Sequence, residues 1–309
     1  WRASPPHRTT PVWPTTPAPP RSPSPSASAT ASSPAPAWRS SARSPWTRCR
    51  TSPPTGSTRR AATGTCGCRS APNDALVAFH ALRAVQKDAG SAARVRWQMN
   101  GFNRSPGATA HPMTARNLMG QVDGTRNPKP ADSDFDRRIF VPKKGEPAWM
   151  ANGSYVVVRR IRMLLDDWEK LPVEEQESVI GRRKSDGAPL SGGTETSEMD
   201  LEKTDSKGGL VVPFNAHARI TRPDQNGGAA MLRRPFSYHD GMDTDGVPDA
   251  GLLFVCWQAD PLRGFVPVQR KLDRGDALTP FVRHEASGLF AVPGGAAEGE
   301  YVGQRLLEG

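Results

Sequence analysis

The chain changes character at residue 72. Residues 1–72 hold ten arginines but no aspartate, glutamate or lysine, and no leucine, isoleucine, phenylalanine, tyrosine or methionine. A stretch so poor in large aliphatic side chains has almost nothing to bury, so it cannot offset the entropy of ordering itself. Globular structure is thereby confined to residues 73–309. The charge is confined too. The 309 residues carry 41 Lys+Arg against 31 Asp+Glu, a net charge of +10. Once the ten N-terminal arginines are set aside, residues 73–309 balance at 31 against 31. A basic chain ordinarily points to nucleic acid or a membrane surface. Here the basicity belongs to a tail with no aromatic-basic pattern on a folded scaffold. No nucleic-acid partner is expected, and binding through the tail is a remote alternative.

Residues 1–72 read either as a disordered low-complexity tail or as the wrong reading frame, and the second reading is preferred. Pro, Ala, Arg, Ser and Gly are what a GC-rich gene yields out of frame. Shifted by one base, codons for Ser52–Arg60 can come from DNA encoding FPADRLDPAR, those for Thr65–Ala71 from DNA encoding DLWVQVCA, and those for Ser22–Ala29 from DNA encoding LTVTVGFG. The last two strings alternate as strands do. Cys49, Cys66 and Cys68 lie in this quarter and only Cys256 lies beyond it. The Cys66–Cys68 pair has no second pair at zinc-site spacing, and no disulfide framework is visible. The longest clear apolar run, Leu252–Trp257, is far too short to span a bilayer. No charged segment followed by an apolar one marks an export signal.

From Asn73 onward the pattern is α+β. Ala75–Ala89 has helical spacing, with Leu76, Phe79 and Leu82, or Ala78, Leu82 and Val85, on one side and Gly90 as its stop. Arg94–Met99 alternates as a half-buried strand. Residues 101–150 form a long loop-like stretch rich in Gly, Pro, Asn and Asp, of the kind that usually carries function. Ser154–Met163 is a strong strand, Leu164–Trp168 and Val173–Ile180 are helices with Gly181 ending the second, and Leu252–Trp257 is a strand buried on both faces. Asp276–His284 is expected as a short helix, started or interrupted by Pro280.

Three segments carry chemistry. Gly120–Pro128 sets Asp123 between glycines, and an Asp-Gly turn alone would account for it. Asn215–Arg219 contains His217, against the rival histidines His80, His111, His239 and His284. Met231–Arg234 ends in an arginine pair that a surface strand would explain equally well. An Asp, a His and an Arg far apart in sequence are the parts a haem peroxidase needs: an iron ligand, a proton carrier and a charge stabiliser.

The Gly120–Gly124 block resembles the GxxDG signature of the dye-decolourising (DyP-type) peroxidases. The His217 and Arg233 segments resemble that family's proximal and distal segments, and LTVTVGFG and DLWVQVCA resemble its first strands. The resemblance covers about residues 73–305. It implies two ferredoxin-like α+β units with antiparallel sheets: the remainder of the first in residues 73–165, incomplete at its N-terminus and holding the Asp123 loop, and the second in residues 166–309 with His217. It implies haem b as cofactor, hydrogen peroxide as oxidant, and dyes or phenolics as small aromatic reductants. His217 would be the axial ligand of the haem iron and Asp123 the catalytic base. Arg233 would be the distal arginine, with Arg234 as the competing choice. Gly124, Thr125, Arg126 and Arg222 would contact the haem. Asp276 would accept the His217 N–H or, equally, cap a helix. Leu253 and Phe254 would wall the distal pocket or simply fill core. Gly181–Leu190 looks like the exported branch, which includes deferrochelatase/peroxidase proteins. This implies export by the twin-arginine route and an alternative activity of releasing iron from haem; a homo-oligomer is a further expectation that no motif carries.

Overall fold

The structure is a computed structural model, and it describes residues 67–70, 72–105, 108–109 and 113–308. The expectations for residues 1–66 lie outside the described residues. The described residues belong to one compact unit.

Its centre is an antiparallel sheet. Strand β1 (Ser154–Met163) pairs with β4 (Pro248–Gln258) on one side and β5 (Val282–Val292) on the other. Two short strands, β2 (Leu232–Arg233) and β3 (Phe236–Met242), pair with successive parts of β4 and together act as one edge, interrupted at Pro235. Proline lacks the N–H a ladder needs, which is why the break falls there. Helices α3 (Leu165–Glu169), α4 (Val173–Ile180) and α5 (His217–Ile220) lie between β1 and β2 in sequence, and α6 (Phe265–Gly275) lies between β4 and β5. The order β2/β3–β4–β1–β5 with these connections is the βαββαβ pattern of a ferredoxin-like unit. The expected boundary at residues 165/166 therefore does not separate two sheets. Strand β1, assigned from sequence to the first unit, is a central strand of the unit that carries His217.

The expected helix Ala75–Ala89 forms as α1. Asp74 caps it, its carboxylate accepting from Leu76 N at 2.7 Å and Val77 N at 3.2 Å. Its apolar side is uncovered: Leu76 is 80% and Phe79 62% exposed. The strand expected at Arg94–Met99 does not form, and the described pairing nearby is a single bridge, Phe102 to Ser237. Alternation makes a strand only where a partner supplies the ladder. The helix expected at Asp276–His284 also fails. Only a 3-10 turn, Thr279–Phe281, forms there, and His284 lies in β5, held by its pairing with β1. Short α2 (Phe135–Ile139) and α7 (Gln304–Leu307) complete the α-helices among the described residues.

One core cluster joins Met119, Met163, Trp168, Ile180 and Leu252, with Phe281 packed against it. Trp168 is almost wholly buried, meets Phe281 edge to face at 5.3 Å, and donates its indole N–H to the Met119 carbonyl at 3.1 Å. That bond ties the loop leading to Asp123 to the helices above the sheet. A second cluster joins Met199 and Val212 to Ala216, the residue before His217.

Candidate active site

The Asp123 loop is fixed by backbone and side chain together. Asp123 N donates to the Ala115 carbonyl at 2.9 Å. Two residues later, the Thr125 hydroxyl donates to Glu195 Oε1 at 2.8 Å, and the Thr114 hydroxyl donates to the same oxygen at 2.5 Å. Glu195 thus gathers the two sides of the loop. Across from it, Arg233 on β2 donates from Nη1 to Asp123 Oδ1 at 3.1 Å. The Arg233 backbone is held by Asn127, whose amide bonds both of its polar groups. Asn127 Nδ2 donates to the Arg233 carbonyl at 2.7 Å, and Arg233 N donates to Asn127 Oδ1 at 3.0 Å. Within the arginine pair it is Arg233 whose side chain bonds Asp123, while Arg234 lines the recess beside it. A recess of about 220 Å³ opens beside them, lined among others by Asn103, Thr114, Asn127, Arg234 and Ser237. Leu252 lines it, whereas Leu253 does not, and Phe254 packs on Phe265 at 6.2 Å.

His217 opens α5. Its Nδ1 lies 2.8 Å from Asp276 Oδ2, and the Asp276 side chain is only 5% exposed. Asp276 sits at the C-terminal end of α6 and not at a helix N-terminus. Its other oxygen accepts from Leu278 N at 3.0 Å, and Ala277 N reaches across to the Asn215 carbonyl at 3.0 Å. A carboxylate accepting at Nδ1 makes that nitrogen the N–H donor and leaves Nε2 with its lone pair, as a metal ligand requires. Gly181 adds a constraint from behind. It ends α4 at φ 87°, and a Cβ there would come within 3.1 Å of the Ala216 Cβ and 3.3 Å of Val212. The lack of a side chain at 181 lets the α5 segment sit close. His217 does not line the recess beside Asp123.

Around these pairs is a cluster of guanidinium groups. Arg126 makes a two-pronged bond to Glu198 at 2.6 and 3.1 Å. Arg222 binds Asp224 through Nε and Nη2, donates to the Met199 carbonyl at 3.3 Å, and lies 3.6 Å from Glu198. Buried Arg182 donates from Nη1 to the Gly187 and Glu195 carbonyls. Burial holds the Arg182 guanidinium below its ordinary pKa, and Arg126, then Arg222 and Arg233, press it further down against the opposing pull of Glu195. Four arginines from four separate segments thus share one electrostatic field. Sequence reasoning missed Asn127, Arg182, Glu195 and Glu198. Asn127 lay inside the quoted Gly120–Pro128 block, where its spacing from Asp123 was the available signal. The others are positioned only by tertiary packing.

The chain matches the family model described as Dyp-type peroxidase, C-terminal, over residues 114–297, and the one described as Dyp-type peroxidase, N-terminal, over residues 68–103. A dye-decolorizing peroxidase of Thermobifida fusca is 51% identical over 240 residues, covering 76% of this chain and 56% of that protein. A deferrochelatase of Yersinia pestis is 39% identical over 236 residues, covering 74% and 54%. Among solved structures, ferric DtpA from Streptomyces lividans superposes with a TM-score of 0.74 at 87% identity, covering 76% of this chain and 64% of that one. The chain spans about half the length of the curated relatives it matches. The matched segments include the Asp123 loop, the His217 helix and the Arg233 strand, and they show that this chain belongs to the Dyp-type peroxidase family.

Proposed function

We propose that this protein is a haem peroxidase that uses hydrogen peroxide to oxidise dyes, phenolics and other small aromatic reductants, with haem b as its cofactor. The donor set fits that cofactor. His217 presents Nε2 with its tautomer fixed by buried Asp276, which also strengthens the imidazole as a donor to iron. Arg126 and Arg222, with the backbone of Gly124 and Thr125, offer positive charge and N–H groups to the porphyrin carboxylates. Bound haem supplies the iron that peroxide oxidises and that the aromatic substrate later reduces.

The observation that carries the reading is the Asp123–Arg233 pair at 3.1 Å. Asp123 Oδ1 is occupied by the guanidinium, and Oδ2 is the atom assigned to the proton. It accepts the proton from one peroxide oxygen and returns it to the other, a role worth roughly 10²–10⁴ in rate. Arg233 stabilises negative charge on the departing oxygen. Three variants separate these roles. His217→Ala should lose haem. Asp123→Asn and Arg233→Leu should keep it but react with peroxide at least about a hundredfold more slowly. Soret absorbance gives haem content and stopped-flow mixing gives the rate. If Asp123→Asn reacts as fast as wild type, Asp123 is not the base.

A second reading is favoured by the relatives named deferrochelatase. In it the protein releases iron from haem, so His217 matters and Asp123 does not. Unimpaired iron release in Asp123→Asn and Arg233→Leu, together with unimpaired reaction with peroxide, would move the assignment there. Among the described residues no helix is long and apolar enough to cross a membrane. Export by the twin-arginine route, supported by the likeness of Gly181–Leu190 to the exported branch, completes the proposal and is checked by fractionation. Assembly into homo-oligomers is checked by light scattering.

A further inference from the structure

The arginine cluster holds a carboxylate to which the catalytic reading gives no role. Glu198 joins Arg126, just beyond Asp123, to Arg222, just beyond His217. Its neighbour Met199 is buried against Val212 and Ala216, which fixes where Glu198 emerges. The Glu198 side chain itself is 67% exposed, whereas that of Arg222 is 18% exposed. It is therefore the member of the group that can leave at least cost in solvation. Arg222 keeps Asp224 whatever Glu198 does, but Arg126 relies on Glu198 for its two-pronged bond. Hydrogen bonding from Arg126 holds the Glu198 carboxyl below the usual carboxylate range, so it is ionised near neutral pH.

We propose that Glu198 is a placeholder anion, occupying between Arg126 and Arg222 the position that a cofactor carboxylate takes on loading and swinging into solvent when that carboxylate arrives. The inference rests on the haem reading above. Two carboxylates cannot share one guanidinium fork without repelling each other, so binding is an exchange of one anion for another. The exchange keeps the arginines neutralised in the empty site. It also lowers the apparent affinity for cofactor, because part of the new ion pairing replaces pairing already made. The same exchange selects for a macrocycle that carries free carboxylates.

The test is a Soret titration of cofactor-free protein with haemin and with haemin dimethyl ester, the same macrocycle with its carboxylates blocked. Glu198→Gln should bind haemin about two- to fivefold more tightly than wild type, the range for removing one exposed competing ion pair. It should bind the dimethyl ester with unchanged affinity. In an Arg126→Gln background the gain from Glu198→Gln should vanish, since the contested fork is gone. Equal or weaker haemin binding by Glu198→Gln overturns the proposal, as does an equal gain for the ester. Should wild type bind haemin and lose it in His217→Ala while Glu198→Gln shows no gain, only the placeholder falls. Should wild type bind no haemin, the cofactor reading falls and takes the placeholder with it.

Discussion

At the scale of single residues, Asn127 does the work of a short strand. Its amide offers one donor and one acceptor at the spacing a peptide would, and Arg233 bonds to both. The backbone from which the Arg233 guanidinium reaches Asp123 is thus held by a side chain four residues beyond that carboxylate. Asn127→Ala should leave His217 and haem content untouched. The Arg233 peptide would lose two partners, and the guanidinium would be free to drift from Asp123. Misplacement of about 1 Å in a catalytic group costs on the order of a hundredfold. Stopped-flow reaction with peroxide should show a loss of about that size, with an unchanged Soret band before mixing. A rate equal to wild type would mean that Arg233 is held by β2 alone. Asp123, His217 and Arg233 could be singled out only because each lies in a short block that resembles a family segment, while Asp276 stood equally as a partner of His217 or a helix cap. Glu195 and Glu198 could not be singled out. They lie in a polar loop whose sequence says only that it is exposed, and their partners are about 70 residues away.

At the scale of elements, legibility followed the source of each element's stability. Helices α1 and α4 and strand β1 carry their own signals: a capping Asp74, a stopping Gly181, a run of β-branched residues. Helix α6 was missed because Pro267 stands inside it, at the third helical position, where a missing N–H costs nothing. Strand β5 was missed because its exposed residues run consecutively and do not alternate, leaving β1 to define it. The β1–β4 ladder itself depends on Gly251, where a Cβ would overlap the Ile161 carbonyl oxygen and crowd Arg162. Gly251→Ala should force the two central strands apart and destabilise the fold by about 1–3 kcal/mol, the usual cost of overpacking. Chemical denaturation should show a lower midpoint with an unchanged slope. An unshifted midpoint would mean that the strands yield freely at this point.

At the scale of the whole molecule, acid tests the ion pairs that brace its surface. Asp186 is lowered from its ordinary 3.8 to about 2 by its bond from Arg183, helped by Ala188 N, and Asp243 is lowered by its bond from Arg162. A carboxyl depressed in the folded state stabilises above its unfolded pKa and loses that contribution as pH falls through the folded one. The melting temperature should hold above about pH 5 and fall below about pH 4. Asp243→Asn should melt lower than wild type at neutral pH, with a shallower decline in acid. An identical decline in the variant would remove Asp243 from the account. The bond from the Trp168 indole to the Met119 carbonyl has a wider consequence. The loop that carries Asp123 begins inside the same cluster that holds Trp168 and Ile180 against Leu252 of the sheet, so it is expected to melt with that cluster and not on its own. On the peroxidase reading, catalytic competence should then be a gauge of foldedness. On heating, residual turnover should track the native fraction seen by circular dichroism, point for point, and no inactive yet folded species should accumulate on the way.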